Sequence, residues 1–323
     1  MKKITVLSES SYDYKYRNIF SNIEGINVVE GRFFSLLGYM TKPDTYYHIR
    51  YIKYRGKFLT IVRILLVSLF SYVFKTKIIW TCHNIYEHNF PSEKYNDIVR
   101  SLLSFISYRI VVFHKDLSAY LPKTAQTKII VSSFGDFTNF IMDKTEINND
   151  FNSKFTSWKI QNNIHHPDII SVSAARKNNI GLLLDGTADS DVNILIIAPK
   201  IKLVKTSSNI FLYNDFVYKE ISDILINSNE LVGFIGHSNI SVPTSIYMYA
   251  SFGIPIIGVR AKPISSIIYE NKLGVVVDSS KEVALALKSI RDNYSSYQEN
   301  CRKFIRENSW EKASLNHKEI FDQ

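Results

Sequence analysis

The sequence is poor in cysteine: Cys82 and Cys301 are the two thiols among 323 residues, and neither belongs to a paired metal-ligand motif. That scarcity argues against a disulfide framework and fits a reducing compartment. Repeats, an acidic tail and Gly/Ser tracts are also missing. With 46% apolar and 21% charged residues, the chain can bury enough surface to offset its ordering entropy, so disorder is expected only at loops. A signal-peptide core is lacking too. Met1-Lys2-Lys3 is followed by four strand-like residues, Ile4 to Leu7, before Ser8-Glu9-Ser10 interrupts them.

No apolar run reaches the roughly 20 residues that a bilayer core demands. The longest, Phe58 to Phe74, contains Arg63. Its polar members, Thr60, Arg63, Ser68 and Ser71, fall within an arc of about 140° when wound as a helix. One narrow polar stripe is the expected mark of a helix nearly buried against a sheet.

A length of 323 residues exceeds what one hydrophobic core usually organises, which points to two domains. The net charge of +9 is unevenly spread. Residues 1–75 carry twelve Lys/Arg against five Asp/Glu, a surplus of seven, whereas residues 76–150 balance at eight and eight. Within the basic end, Tyr12-Asp13-Tyr14-Lys15-Tyr16-Arg17 and Arg50-Tyr51-Ile52-Lys53-Tyr54-Arg55-Gly56-Lys57 interleave cations with tyrosines. Such stretches suit anionic lipid headgroups or a diphosphate; nucleic acid and a plainly solvated face are the competing readings. Peripheral contact with an anionic membrane through residues 1–75, without nucleic acid, is the expectation taken forward.

Short Val/Ile-rich runs alternate with helical stretches, the pattern of parallel sheets covered on both faces. In the first half the strands are expected at 4–7, 26–30, 46–49, 77–81, 109–113 and 128–131, with helices near 57–75, 94–107 and 116–121. From about Asp136 to Pro167 the periodicity fades in an Asn-rich stretch that reads as loop and linker. Strands then resume at 168–173, 192–198, 209–213, 231–235, 254–259 and 274–277, with helices near 178–186, 217–227, 243–252, 263–270 and 281–298. The expected fold is α/β, with two doubly wound domains, 1–150 and 151–305. Ligands of such sheets bind beyond the carboxyl ends of the strands, in a cleft between the two.

Three segments carry candidate chemistry. The strand ending in Trp80-Thr81 runs into Cys82-His83-Asn84-Ile85-Tyr86-Glu87-His88, placing an imidazole at the carboxyl edge of a sheet, where a neutral ring can donate to sugar hydroxyls or take a proton. A histidine satisfied within its loop is the bland alternative. The helical His-Glu-x-x-His order is absent, so no metal is expected. The second segment, Gly236-His237-Ser238-Asn239-Ile240-Ser241-Val242-Pro243-Thr244-Ser245, joins a strand to a helix start, whose free N–H groups attract phosphate. Its bland reading is capping of that helix by Ser241. The third, Ser171-Val172-Ser173-Ala174-Ala175-Arg176-Lys177, sets two cations after the first strand of the second domain, where they neutralise a diphosphate or stay solvated.

Trp80-Thr81-Cys82-His83-Asn84 with Glu87-His88 is similar to a W-T-x-H-N segment. Tyr249-Ala250-Ser251-Phe252-Gly253-Ile254-Pro255-Ile256-Ile257 is similar to an A-x-x-x-G-x-P-V-I element, Asn271-Lys272-Leu273-Gly274-Val275-Val276-Val277 to a G-x-x-G-x-L-V piece, and Ser309-Trp310-Glu311 to an S-W-E helix opening. In this order and over nearly the whole chain, the motifs resemble those of bacterial GT-B glycosyltransferases related to retaining hexosyltransferases, especially of capsule, exopolysaccharide and O-antigen assembly. The sequence departs from that pattern at Ile240 and Met248, where many relatives carry a glutamate pair, and at Ser8-Glu9-Ser10-Ser11, which replaces a Gly-rich turn.

The resemblance implies two facing nucleotide-fold domains, with a C-terminal helix, 306–323, crossing back to the first. It implies transfer of a hexose from a nucleotide sugar to a glycan or polyprenyl-diphosphate-linked acceptor, without cofactor or metal, at the cytoplasmic face of the cell membrane. Donor contacts fall to Arg176, Lys177, Gly236, His237, Ser238, Asn239, Thr244 and Ser245. His83 is the catalytic contact to the sugar, Glu9 or Asp13 the general base, and Asn84, Glu87 and His88 line the acceptor side. A nucleotide-sugar epimerase and a non-catalytic partner of a membrane glycosyltransferase are the rival readings.

Overall fold

The computed structural model describes residues 3–9, 13–50, 56–87, 92–143, 149–172, 179–199, 207–215, 217 and 219–322. Arg176, Lys177 and His88 lie outside the described residues, as do residues 51–55 of the second Tyr/Lys/Arg stretch. Two compact units emerge. One comprises Met1–Gly135, Ile240–Val242 and Asn308–Gln323; the other comprises Asp136–Asn239 and Pro243–Glu307.

In the first unit a parallel sheet has the order β2-β1-β3-β4-β5-β6, from β1 (Ile4–Ser8), β2 (Ile26–Glu30), β3 (Thr45–Ile49), β4 (Lys77–Thr81), β5 (Arg109–Val112) and β6 (Ile129–Val131). The chain first steps from β1 outward to β2, then returns past β1 and continues in the other direction. Because parallel crossovers are right-handed, that reversal puts α1 (Tyr14–Ser21) on one face and α2 (Phe33–Met40), α3 (Lys57–Phe74) and α4 (Glu93–Ile106) on the other.

The last helix, α14 (Trp310–Lys318), packs beside α1. Ser309 caps it by accepting from the Lys312 N–H at 3.2 Å, and Ser314 Oγ donates to the Ile19 carbonyl at 2.7 Å. Trp310 is buried against Tyr14 and against Gly135, where any Cβ would come within 2.6 Å of the indole. A buried aromatic of this size contributes about 2–3 kcal/mol relative to exposure. The C-terminal helix therefore belongs to the N-terminal unit, as the resemblance implied.

Helix α3 departs from expectation. Thr60, Ile64 and Val67 are buried, with Val67 packed on Leu7, Leu36, Tyr47 and Ile78, but Phe58, Leu65, Leu69, Tyr72 and Val73 are exposed. The polar stripe points inward: Arg63 pairs with Glu9, and Ser71 Oγ donates to the Thr76 carbonyl. A helical wheel defines the stripe but not which side meets the protein, and the Glu9 carboxylate decides that here. The tyrosine-and-cation stretches are also partly internal. Tyr16 and Arg50 are buried, with the guanidinium 4.7 Å from the tyrosine ring centroid.

The second unit's sheet has the order β12-β11-β10-β7-β8-β9, built from β7 (Ile169–Val172), β8 (Ile194–Ile197), β9 (Ile210–Tyr213), β10 (Val232–Ile235), β11 (Ile256–Val259) and β12 (Gly274–Val277). Read from β9, this is the doubly wound 3-2-1-4-5-6 arrangement, with its reversal between β7 and β10. Every residue of β7, β8, β10 and β11 is buried, as strands covered on both faces must be.

The expected linker is instead partly helical. α6 (Thr138–Met142) and α7 (Asn149–Gln161) lie within it, and α7 turns Phe151, Phe155 and Trp158, at spacings of four and three, onto Phe211 of β9. Asn149 and Asn152 are exposed on α7, and their polarity hides the stripe from a reading of composition. The stretch expected as one helix over 281–298 is two, α12 (Ser280–Asp292) and α13 (Tyr294–Glu307), parted at Asn293.

Candidate functional site

In open α/β sheets the strand ends beside an order reversal diverge and leave a crevice. In the second unit the flanking strands are β7 and β10, which lead into the 173–178 segment and into the loop from Gly236. The described residues on either side, Val172 and Asn179, are both held by hydrogen bonds. The Val172 N–H donates to Tyr249 Oη at 2.9 Å, Tyr249 Oη donates to the Ile170 carbonyl at 3.1 Å, and the Asn179 N–H donates to the Gly236 carbonyl at 2.7 Å.

The Tyr249 ring lies on Gly233 of β10, where a Cβ would approach within 2.5 Å. One aromatic of α10 (Thr244–Ser251) thus ties the two strands of the crevice together. His237 and Asn239 are buried, whereas Ser238 is exposed. Helix α10 starts after Pro243 with no side-chain cap. Ser241 does not cap it: residues Ile240–Val242 belong to the first unit, where Ser241 bridges Asn84 and the Ile85 N–H donates to the Ile240 carbonyl at 3.0 Å. The first-turn N–H groups at half-buried Thr244 and Ser245 therefore keep the orientation that suits an anion.

In the first unit His83 follows the end of β4. Its Nε2 lies 2.7 Å from Tyr16 Oη, and its ring stacks on Phe113, which stacks on Phe134. Burial, Lys15, His48, Arg50 and His317 hold its pKa well below the usual histidine value, so the imidazole is neutral at physiological pH.

The loop beyond it is pinned by α4. The Glu87 N–H donates to Asn96 Oδ1 at 2.7 Å, and Arg100 Nη1 donates to the Ile85 carbonyl at 3.1 Å. Burial pushes the Glu87 carboxyl up to about 7, against the opposing effect of a hydrogen bond with Asn84. Cys82, whose thiol donates to the Asn84 carbonyl, is held protonated by burial.

The other candidate carboxylates are already engaged. Glu9 accepts from Tyr47 Oη and pairs with Arg63. Asp13 caps α1, accepting from the Tyr16 N–H at 3.3 Å, with Lys15 Nζ 3.6 Å away. Glu87, by contrast, has no salt-bridge partner among the described residues, and burial raises its carboxyl to about 7. Among the described residues no cluster of three or more His, Cys, Asp and Glu forms a metal cradle.

A raised Glu87 pKa carries a stability signature. The folded state binds the proton more tightly than the unfolded chain, so this group's contribution declines as pH rises from about 4.5 to about 7. Glu87→Gln removes that decline. It is expected to stabilise the protein by about 1–2 kcal/mol at pH 8, after allowance for partial exposure, and to change little at pH 4. Urea titrations of both proteins at the two pH values measure this, and equal stabilities at pH 8 would contradict the buried, neutral carboxyl.

Residues 227–310 match the family model described as Glucosyltransferase 3-like, C-terminal domain. The match spans β10 to the start of α14, and includes the uncapped helix and the Gly253-Ile254-Pro255 element. No curated protein matches the chain by sequence. Among solved structures the chain is similar to HepE of Anabaena in complex with UDP-glucose, at 9% identity and a TM-score of 0.65, covering 99% of this chain and 98% of that one.

It is similar to sucrose-phosphate synthase from Thermosynechococcus elongatus at 12% identity, 99% and 98% coverage and a TM-score of 0.65. It also resembles the pneumococcal O-GlcNAc transferase GtfA, in complex with UDP and GlcNAc, at 11% identity, 89% of this chain and 59% of that one, and a TM-score of 0.61. The chain has the GT-B fold. In GT-B terms, Gly236–Asn239, Thr244 and Ser245 fall at the sheet reversal of the C-terminal half, while Glu9, Asp13, His83, Asn84 and Glu87 fall at the carboxyl edge of the N-terminal sheet.

Within each unit the positioning residues are not marked by any motif: Tyr16, Asn96 and Arg100 hold the His83–Glu87 loop of the first, and Tyr249 holds the β7/β10 strand ends of the second. Tyr16 and Tyr249 act across 67 and 77 positions, and Asn96 and Arg100 reach the loop from the following helix, so no local motif records them.

Proposed function

We propose that the chain is a glycosyltransferase, moving a hexose from a nucleotide-sugar donor to a glycan or polyprenyl-diphosphate-linked acceptor in bacterial surface polysaccharide synthesis, at the cytoplasmic face of the membrane. The observation that carries this reading is the uncapped start of α10 beside the β7/β10 reversal. An anion there meets backbone N–H groups and the positive end of a helix. By chain position Arg176 and Lys177 add cations beyond β7, so the leaving diphosphate is stabilised by protein groups and needs no metal or other cofactor in this reading.

Neutral His83 hydrogen-bonds the transferred sugar. Glu87, titrating near neutrality, is better matched to accept the acceptor's proton than ion-paired Glu9, with Asp13 the alternative base. Support also comes from the Glucosyltransferase 3-like match and from the UDP and UDP-glucose named for the HepE structures.

Buried Met248, standing where many relatives carry a carboxylate, favours a second reading, a non-catalytic partner of a membrane glycosyltransferase. Thermal melting against a panel of nucleotide sugars separates the two, because a ligand bound only by the native state raises Tm. At 100 times Kd the stabilisation is about 2.7 kcal/mol, and Arg176→Ala should weaken donor binding at least about tenfold. A panel in which no nucleotide sugar shifts Tm would leave the scaffold reading; a shift unaltered by Arg176→Ala would remove that cation from the site.

A further inference from the structure

Helix α3 is inverted with respect to water. Its polar stripe is turned into the protein, through Thr60, Arg63 and Ser71, while the outward arc carries Phe58, Leu65, Leu69, Tyr72 and Val73. Phe58 and Tyr72 are 78% and 85% exposed, the values of side chains with almost nothing over them. No charged residue of α3 lies on that outward arc. The charges sit at its ends, on exposed Lys57 and Lys75. The helices that flank α3 in the same layer also expose large apolar side chains, Phe34 of α2 and Phe105 of α4, 76% and 81% exposed. An exposed apolar arc of this size on one helix marks an interaction site.

We infer that α3 is an interfacial membrane helix, lying in the headgroup region of an anionic bilayer with its outward arc among the acyl chains. Three observations select this occupant. The first is charge: α3 carries no Asp or Glu, and exposed Lys57 and Lys75 stand at its two ends. A second copy docking through the same face would set like charge against like, whereas acidic headgroups complement it. The second is shape. Eighteen residues of α-helix extend about 27 Å, and the lysines at both ends sit where long side chains reach phosphates while the apolar arc sinks below them.

The third is topology. By length and composition alone α3 could cross a bilayer. Yet it is the crossover between β3 and β4, which pair in parallel from Tyr46↔Lys77 to Ile49↔Trp80, so both its ends return to one sheet. Its inward face is also committed to Glu9 and to the Val67 contacts. A helix so tethered lies along the surface and does not span. This deepens the membrane location proposed above, and does not depend on glycosyl transfer.

The test is co-sedimentation of the full chain with vesicles, one set of phosphatidylcholine alone and one with a third phosphatidylglycerol, without donor or acceptor. The wild-type chain should prefer the anionic vesicles at least about tenfold, and added salt should weaken the binding. The double variant Leu65→Glu/Leu69→Glu changes two exposed side chains and should retain its Tm while losing vesicle binding more than about tenfold. Lys57→Gln/Lys75→Gln should reduce the preference for anionic lipid and leave the fold intact.

Absence of wild-type binding to either vesicle would overturn the inference, as would equal binding by Leu65→Glu/Leu69→Glu. A soluble dimer that this double variant dissolves, with no vesicle binding, would assign the face to a second copy. Because the assay contains no nucleotide sugar, its failure would leave the donor-binding reading untouched.

Discussion

His83→Ala is expected to lower glycosyl transfer by about two to four orders of magnitude while the protein stays folded. The imidazole stands at the end of β4, neutral at working pH because burial and the surrounding cations Lys15 and Arg50 oppose its protonation. A neutral ring can hydrogen-bond a sugar hydroxyl without adding positive charge beside a developing oxocarbenium ion, which a protonated histidine would do. Tyr16 Oη, 2.7 Å from Nε2, fixes the ring together with the stacked Phe113.

Tyr16→Phe should therefore cost less than His83→Ala, about tenfold in rate with about 1 kcal/mol in stability, because it loosens the ring without removing it. The measurement is transfer of labelled sugar from whichever nucleotide sugar raises Tm, normalised to folded protein. If His83 only fills its loop, the alanine variant will melt earlier yet transfer at full rate per folded molecule, and its role in the reaction is then withdrawn.

What could be read from the sequence was what short-range chemistry writes there. The strands announce themselves as Val/Ile runs, and strand β8, Ile-Leu-Ile-Ile, is apolar at every position because both its faces are covered. The Gly253-Ile254-Pro255 element also has a local cause. Gly253 adopts a φ of +67° to end α10, and the Ile254 N–H then donates back to the Tyr249 carbonyl at 3.0 Å.

Helix α2 leaves no local signature, because Arg32 at its start offers no capping side chain and its apolar run has no clear period. The loop from Asn84 to Glu87 was visible as a candidate, but not the pKa of Glu87, which depends on burial. Arg63 illustrates the same limit. Its sequence neighbours are apolar on both sides, and only the fold brings Glu9, 54 positions earlier, to its guanidinium.

Mild acid is expected to destabilise the protein by about 3–4 kcal/mol between pH 7 and pH 5. Three histidines drive this. His48 is buried with Nε2 2.8 Å from Thr81 Oγ1, and burial, Arg50 and His317 hold its pKa well below normal. His83 is depressed by burial, Lys15, His48, Arg50 and His317. His317 is lowered by burial to about 4. Its Nδ1–H donates to the Ala313 carbonyl at 2.8 Å, which leaves Nε2 as the bare nitrogen of the neutral ring, and among the described residues no partner faces it.

The unfolded chain takes up these protons from about pH 6.5 downward while the folded state refuses them, so stability falls with pH at up to about 1.4 kcal/mol per unit for each group. Glu87 works in the opposite sense between about 7 and 4.5, which leaves a net slope of about 2–3 kcal/mol per unit near pH 5.5. Against a total of about 5–15 kcal/mol for a typical native protein, that loss is large. Urea titrations at pH 7.5, 6.5 and 5.5 give the slope directly. His317→Asn should flatten it by about half, and Glu87→Gln should steepen it. A stability that stays level from pH 7 to pH 5 would mean that these imidazoles accept protons in the folded state, and with that the neutral His83 on which the proposed chemistry relies would be lost.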